Sequence, residues 1–389
     1  MDLKEEALKQ HAVWKGKIDI CSRAPLRDKH DLAIAYTPGV AEPCKEIAKD
    51  EQAGWTYTGR GDTIAVVSDG SAVLGLGNIG ALAGLPVMEG KCILFKELGG
   101  VNAVPLVLNT QDTDEIVKTV AALEKSFGGI NLEDIAAPRC FEVEKKLQER
   151  MEIPVFHDDQ HGTACVVLAA LINALRLVDK KKEDVRVVIS GAGAAGSAIA
   201  SLLMEYGFAH ILMNDVHGIL TEENALSDVQ KELAKRTNPE GVSGTLADAL
   251  KGADIFIGVS KGNLVNEEMI ASMNKDAIVF AMANPVPEIT PDKAKAAGAR
   301  VVGSGRSDYA NQINNILIFP SLFRGVLDCG AKRITEEMKL AASEALASLV
   351  DDEHLSEDYV IVDALDPRVK DAVASAVAKT ARAQGVCRE

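Results

Sequence analysis

Two acidic pairs, a tyrosine, a lysine and two glycine-rich turns are the residues of this chain whose types and spacing could do chemistry. Glu133-Asp134 ends a short apolar segment, and Asp158-Asp159 follows the apolar run 153–156, which reads as a strand. Acids at strand ends converge at one edge of a parallel sheet, where such folds place their ligands. Carboxylates gathered there repel one another unless a cation sits between them, and oxygen-only ligation suits Mg2+ or Mn2+. The plain alternative is that both pairs are solvated loop acids. His157 and His161 stand at i, i+4, but no glutamate fills the second position of an H-E-x-x-H pattern. They read as a packed strand-end residue and a helix-start residue rather than a zinc pair.

Tyr36 precedes a Pro-Gly turn in Tyr36-Thr37-Pro38-Gly39-Val40-Ala41. A tyrosine held by such a turn can act as a general acid if a nearby cation lowers its pKa; otherwise it is a packing residue. Lys91 and Lys96 bracket the apolar run 92–95, taken as a short strand. A lysine drawn into a site can have its pKa lowered and serve as a base, whereas a strand-end lysine is ordinarily solvated. Lys96 fits the solvated reading better than Lys91. Asn284 ends the run 277–281, and Asn314-Asn315 opens an apolar helix; neutral amides there can hold a carboxylate or a nicotinamide amide.

The pattern G-x-G-x-x-G occurs twice, and context separates the two. Gly191-Ala192-Gly193-Ala194-Ala195-Gly196 follows the β-branched strand 185–189 and precedes a helical face at Ile199, Leu202, Leu203 and Tyr206. A second strand, 210–215, ends in Asp215, 19 residues beyond Gly196, where a ribose-binding acid is expected. The helix N-terminus offers N–H donors to a pyrophosphate. An acid at Asp215 favours NAD because a carboxylate repels a 2′-phosphate, although NADP stays open. Gly75-Leu76-Gly77-Asn78-Ile79-Gly80 is followed by Gly84 and Pro86, both costly in a helix, and reads as a flexible loop.

The elements that must position these residues form an α/β pattern. Strands are expected at 63–68, 92–95 and 104–108, with a capping box at Asp112–Glu115, and again at 255–259, 277–281 and 300–303 with helices between them. Helix 163–178 is apolar nearly all round and therefore buried. The tail, about 330–385, is helical, with Val369, Val373, Val377 and Thr380 on one face, and is expected to pack back across two domains. These are an N-terminal α/β domain, 1–160, and a Rossmann-type parallel-sheet dinucleotide-binding domain, 161–389.

Composition narrows the classes. The chain has 389 residues with a net charge of −15, which argues against nucleic acid or an anionic membrane surface as partner. The first residues, Met1-Asp2-Leu3-Lys4-Glu5-Glu6, carry no apolar signal region, and the seven scattered cysteines read as reduced thiols, so a cytoplasmic location is expected. No uninterrupted apolar run reaches the ~18 residues of a membrane span.

In order and spacing these stretches resemble the malic enzymes, in the short bacterial-type form, over essentially the whole chain. The resemblance rests on Tyr36-Thr37-Pro38-Gly39-Val40, Ser68-Asp69-Gly70-Ser71-Ala72-Val73-Leu74-Gly75-Leu76-Gly77, Gly90-Lys91, Glu133-Asp134, 156–164, the second glycine motif and Asn284-Pro285. It implies oxidative decarboxylation of L-malate by a catalytic domain followed by an NAD(P) domain. Tyr36 would be the general acid, Lys91 the general base, and Glu133, Asp134 and Asp159 the Mg2+ or Mn2+ ligands. Asn284 and Asn315 would lie near substrate and nicotinamide, and a homodimer is expected. Where long members carry an arginine for the malate carboxylate this chain has Ala72, so the amides of the 75–80 loop, Gly75 and Gly77 among them, and the asparagines must take that role. A glutamate- or leucine-type amino-acid dehydrogenase and a non-catalytic NAD-sensing protein are the rival readings. The first needs no metal; the second gives Tyr36, Lys91 and the acids no reason to coexist.

Overall fold

Apolar, β-branched runs form the strands, and helices cover the faces of the parallel sheets they build. The computed structural model describes residues 3–73 and 75–388; Met1, Asp2 and Leu74, quoted above, lie outside them. The chain opens with α1 (Leu3–Trp14), α2 (Lys29–Ala35), α3 (Ala41–Lys49) and α4 (Gly54–Tyr57). Next come β1 (Thr63–Ser68), α5 (Ala81–Gly99), β2 (Asn102–Val107), α6 (Thr113–Ala122), β3 (Gly129–Leu132), α7 (Arg139–Arg150) and β4 (Val155–His157). The four strands make a parallel sheet in the order β2-β1-β3-β4.

Helix α8 (Asp158–Val178) leads to a second sheet. Its elements are β5 (Arg186–Ser190), α9 (Ala194–Tyr206), β6 (His210–Asp215), β7 (Gly218–Ile219), α10 (Asp228–Thr237), α11 (Leu246–Leu250), β8 (Ile255–Gly258), α12 (Glu267–Ala271), β9 (Ala277–Ala281), α13 (Pro291–Ala296) and β10 (Ala299–Ser304). The strand order is β10-β9-β8-β5-β6-β7, parallel except for β7. Successive strands therefore build outward in opposite directions from β5, and the crevice beyond its carboxyl end is where such sheets bind ligands. The chain closes with α14 (Phe319–Asp328), α15 (Glu336–Ala347) and α16 (Arg368–Ala383).

Three local expectations are corrected. Residues 92–95 are not a strand but part of α5, a 19-residue helix that also absorbs Gly84, Pro86 and Gly90. Met88, Cys92 and Phe95 fall at i, i+4 and i+7 and are fully or almost fully buried, so burial outweighs the cost of glycine and proline. A short apolar run cannot by itself separate strand from helix. Helix α8 starts at Asp158, five residues before the expected 163, which places Asp158 and Asp159 in its first turn, where the helix dipole favours acids. At α6 half of a capping box forms. The Asp112 carboxylate accepts from the Glu115 N–H at 2.8 Å, but the Glu115 carboxylate takes the Thr110 hydroxyl at 2.6 Å.

The closing helices tie the two sheets together. Phe319 and Phe323 of α14 pack edge-on against Phe95 of α5 at 4.7 and 5.5 Å, and Phe323 also meets Phe156 of β4 at 5.9 Å. A Cβ on Gly99 would lie 2.5 Å from the Pro320 carbonyl oxygen, so glycine is what lets α5 and α14 approach. Asn173 of α8 donates to the Ala347 and Val360 carbonyls at 3.0 and 2.9 Å, which fixes α15 and the chain after it. Helix α8 has the length and apolarity of a membrane span, yet 67% of that stretch is buried inside the protein. All seven cysteines are free thiols. Removing the Phe323 ring should destabilise the fold by about 3–5 kcal/mol, read as a lower urea midpoint for Phe323→Ala. A loss below about 1 kcal/mol would mean that this aromatic cluster does not anchor α14 on the first sheet.

Candidate active site

The site is assembled at the carboxyl ends of both sheets. Strand β3 delivers Glu133 and Asp134, the β4–α8 junction delivers Asp158 and Asp159, and α5 carries Lys91 toward them from the side. Lys91 is 9% exposed, and its Nζ lies 2.6 Å from Asp158 Oδ2 and 2.8 Å from Glu133 Oε1. The ammonium also sits over the Phe319 ring at 4.3 Å. Asn315 Nδ2 donates to the same Asp158 oxygen at 2.7 Å, and Asn131 Nδ2 donates to Glu133 Oε2 at 2.9 Å. The Asp134 N–H donates to Asp159 Oδ2 at 2.8 Å, which fixes the second acidic pair against the first.

Burial would lower the pKa of Lys91, but the carboxylates of Asp158, Glu133 and Asp159 outweigh it and raise the pKa above the ordinary lysine value. This corrects the expectation of a lysine made basic by lowered pKa: in this arrangement Lys91 is held as an ammonium. The acids show the converse strain. Burial, then repulsion from Asp159 and Glu133, pushes Asp134 up to about 9. Burial pushes Asp158 up to about 7 and Asp159 up to about 6 against the pull of Lys91. Glu133 is raised as well, mainly by burial.

Oxygens of Glu133, Asp134 and Asp159 all lie within 4.8 Å of one another, and Asp134 Oδ2 is buried without a hydrogen-bond partner. Mutually repelling, incompletely satisfied carboxylate oxygens fit a hard divalent cation of the Mg2+ or Mn2+ type. The histidines are not grouped with these three oxygens, although His157 Nδ1 borders them, 3.9 Å from Asp159 Oδ2. His157 is fully buried and its pKa is lowered, chiefly by burial; His161 Nε2 lies 3.0 Å from Glu144.

A cavity of about 620 Å3 opens between the sheets. Asp134, Asp159, Asn284, Asn315, Gly75 and Gly77 line it, together with Ala194 and Ala195 of the second glycine motif. In that motif a Cβ on Gly191 would meet the Val259 carbonyl oxygen at 2.8 Å, and one on Gly196 would collide with the Gly191 carbonyl oxygen. A Cβ on Gly193 would meet nothing within 4 Å, so open space faces the N-terminus of α9, as a pyrophosphate cradle requires. Ala192 lies beneath the loop, and Asp215 ends β6 as expected.

Two expectations need adjustment. The first glycine motif is not a freely available row of amides. The Leu76 and Gly77 N–H groups donate to the Val73 carbonyl, and those of Ile79 and Gly80 donate to Gly70, so four of its amides, that of Gly77 among them, are spent within the turn. Tyr36 is 67% exposed at the end of α2 and does not line the cavity. The Thr37-Pro38-Gly39 turn holds its backbone, with the Val40 N–H donating to the Tyr36 carbonyl at 2.8 Å, but nothing packs its phenol against Lys91.

Asn131 is a site residue that the sequence pattern did not single out, and Asp158 was named there only as half of an acidic pair, with no role of its own. Asp158 was visible as the partner of Asp159; a strand-to-helix junction turns two successive side chains to different sides, and both are used. Gly162 was the further signal, because any Cβ there would collide with the Asp158 carboxylate.

Fold and site together define a two-domain α/β protein whose Rossmann-like second domain shares an acidic cleft with the first. The profile of the malic enzyme N-terminal domain matches residues 15–148, and that of the malic enzyme NAD-binding domain matches residues 160–382. The chain is 55% identical over 390 aligned residues to a bifunctional malic/malolactic enzyme of Bacillus subtilis, covering 100% of this chain and 95% of that one. It is 52% identical to an NAD-dependent malic enzyme of Geobacillus stearothermophilus, covering 96% of this chain and 78% of that one. The crystal structure of a malic enzyme from Pyrococcus horikoshii superimposes with a TM-score of 0.94 at 47% identity, covering 99% of this chain and 92% of that one. The chain belongs to the malic enzyme family.

The fit of the cluster to a divalent cation is tested by removing one of its carboxylates. Asp159→Asn should weaken Mn2+ binding at least about tenfold in a paramagnetic-resonance titration. Unchanged Mn2+ affinity would remove Asp159 from the ligand set.

Proposed function

We propose that this protein oxidises L-malate and decarboxylates the product to pyruvate and CO2, with NAD as the favoured acceptor and a divalent metal held by Glu133, Asp134 and Asp159. It is also expected to decarboxylate oxaloacetate. One observation carries the reading: two acids of the cluster and a dinucleotide-type glycine loop line a single cavity, and a buried lysine is held by the acids beside it, 2.8 Å from Glu133 and 2.6 Å from Asp158. An amino-acid dehydrogenase would have no use for the acidic cluster.

A bound Mg2+ or Mn2+ would supply Lewis acidity to the C2 oxygen of malate, and bound NAD would supply the hydride acceptor. Lys91 removes the C2 hydroxyl proton. It can do so only when the charge of the surrounding carboxylates is offset, because their field otherwise holds its own proton in place. Asp158 and Asn315 aim the Lys91 amine, and Asn284 orients polar groups of the ligands at the opposite wall. The 75–80 loop shapes the cavity wall more than it donates to a carboxylate. Tyr36 delivers a proton to C3 as the new carbanion forms. The acid at Asp215 supports NAD over NADP.

Tyr36 reaches the chemistry only if something brings it there. Leu8, Ile20, Leu26 and Ile34 of the same N-terminal segment are exposed, and α1 and α3 bury no residue. A second copy of the chain would cover this apolar surface and bring Tyr36 to the partner's Lys91, so a cytoplasmic homodimer with shared sites is the assembly this reading favours.

The direct test is spectrophotometric: malate with NAD or NADP, with and without Mn2+. Metal-dependent NAD reduction is expected; activity that survives exhaustive chelation overturns the metal, and no reduction by malate overturns the reaction. Lys91→Ala and Tyr36→Phe should each lose at least about a hundredfold in kcat. Near-normal turnover in either variant would strip that residue of its role. Shared sites make a further prediction: mixing and re-associating these two inactive variants should restore about a quarter of wild-type activity, since half the dimers are mixed and each has one intact site. No recovery on mixing would place Tyr36 and Lys91 of each site on the same chain.

A further inference from the structure

We infer that Gln230 is a positioning residue that sets the choice between the two nicotinamide cofactors by holding the Asp215 carboxylate and the glycine loop in one fixed relation. The inference deepens the NAD reading above and rests on it.

Gln230 lies in the first turn of α10, whose N-cap Ser227 accepts from the Gln230 N–H at 3.2 Å. Its side chain is buried, and each end of the amide is committed. Oε1 accepts the Leu226 N–H at 2.6 Å. Nε2 donates to the Ala192 carbonyl at 3.0 Å and to Asp215 Oδ2 at 2.9 Å. The amide has one orientation: reversed, its oxygen would face a carbonyl and a carboxylate, and its NH2 would face an N–H. One side chain therefore links the loop expected to hold the pyrophosphate, the acid expected to hold the adenosine ribose, and the helix that follows.

The other contact to Asp215 completes the arrangement. Its Oδ1 accepts the Val216 N–H at 2.9 Å. Each carboxylate oxygen thus spends one lone pair on the protein and keeps one to accept a ribose hydroxyl. No lysine or arginine forms an ion pair with Asp215 among the described residues. The two N–H donors fix the orientation of the carboxylate, one on each oxygen, and so oppose its turning away from a 2′-phosphate. Discrimination against a bulky anion requires that rigidity, because a mobile acid would simply rotate aside. The Ala192 contact sets the distance between ribose acid and glycine loop, which one dinucleotide must span.

The primary readout is binding, with a kinetic check beside it. Two probes differ only in the 2′-phosphate: 5′-AMP and adenosine 2′,5′-bisphosphate, titrated calorimetrically into the full-length wild-type protein, Gln230→Leu and Asp215→Ala. Wild type should bind 5′-AMP more tightly. Gln230→Leu should lose about tenfold in 5′-AMP affinity with little change for the bisphosphate, as expected when a hydrogen bond to a charged group is removed, and the loss should appear in KM for NAD rather than in kcat. Equal losses for both probes would reduce Gln230 to a packing role and overturn the inference, as would no change for either. If Asp215→Ala removes the preference while Gln230→Leu keeps it, the NAD reading stands and the Gln230 inference alone falls. If wild type prefers the bisphosphate, both fall. Gln230→Glu keeps the size and the Oε1 acceptor but turns an oxygen toward Asp215; it is read in the same way should Gln230→Leu fail to fold.

Discussion

An ammonium buried between carboxylates is the interaction on which the rest of this site depends. Lys91 has little access to water, so its charge must be met by Asp158 and Glu133. Removing the lysine would strand carboxylates in the interior, which costs far more than a surface ion pair contributes. The acids in turn number more than one lysine can neutralise. Four carboxylates surround one ammonium, and the surplus shows as pKa values pushed upward at Asp134, Asp158 and Asp159. A divalent cation among Glu133, Asp134 and Asp159 is the charge that would balance this cluster. In a chain with a net charge of −15, that local compensation is also what would let an anionic substrate approach.

The architecture serves this cluster by bringing three separate elements within bonding distance while keeping the backbone satisfied. Parallel strands present their carboxyl ends together, so β3 and β4 set the acids side by side with no long-range side-chain search. Helix α5 brings the lysine, and its depth is set by α14, whose Phe319 ring lies under the ammonium and whose close approach at Gly99 tolerates no side chain. Asn315, just before α14, donates to Asp158 from the second half of the chain. The cleft is thus closed by residues from both sheets, and packing at the aromatic seam and charge geometry in the cleft are one problem.

The N-terminal segment stands apart from this logic. It buries almost nothing against its own body, and its tyrosine faces outward. A surface of this kind has a physical reason to exist only when it is covered.

Much of this was legible in the residues. The strand, glycine turn, helix and acid running from 185 to 215 have a local signature, because the backbone itself must turn through glycine and the helix must bury one face. The acidic pairs and the lysine that the fold brings together were already marked out by their order along the chain, read through the family resemblance. Other features were not legible, for reasons of range. Residues 92–95 read equally as strand or helix until their burial against α14, more than 200 residues later, settles the matter. Asp158 and Asp159 look equivalent in sequence, and only the turn from β4 into α8 sends one to Lys91 and the other to Asp134. Four amides of the 75–80 loop, those of Leu76, Gly77, Ile79 and Gly80, are taken up by Val73 and Gly70, which the local pattern does not show. The sequence by itself determined which chemical groups this protein has and the local elements that carry them, because composition, turns and helix faces are short-range properties. Only the tertiary structure decided which of those groups meet, and so which lysine is buried, which acid pairs with it and which tyrosine is left outside. Burial and charge depend on neighbours that are distant along the chain.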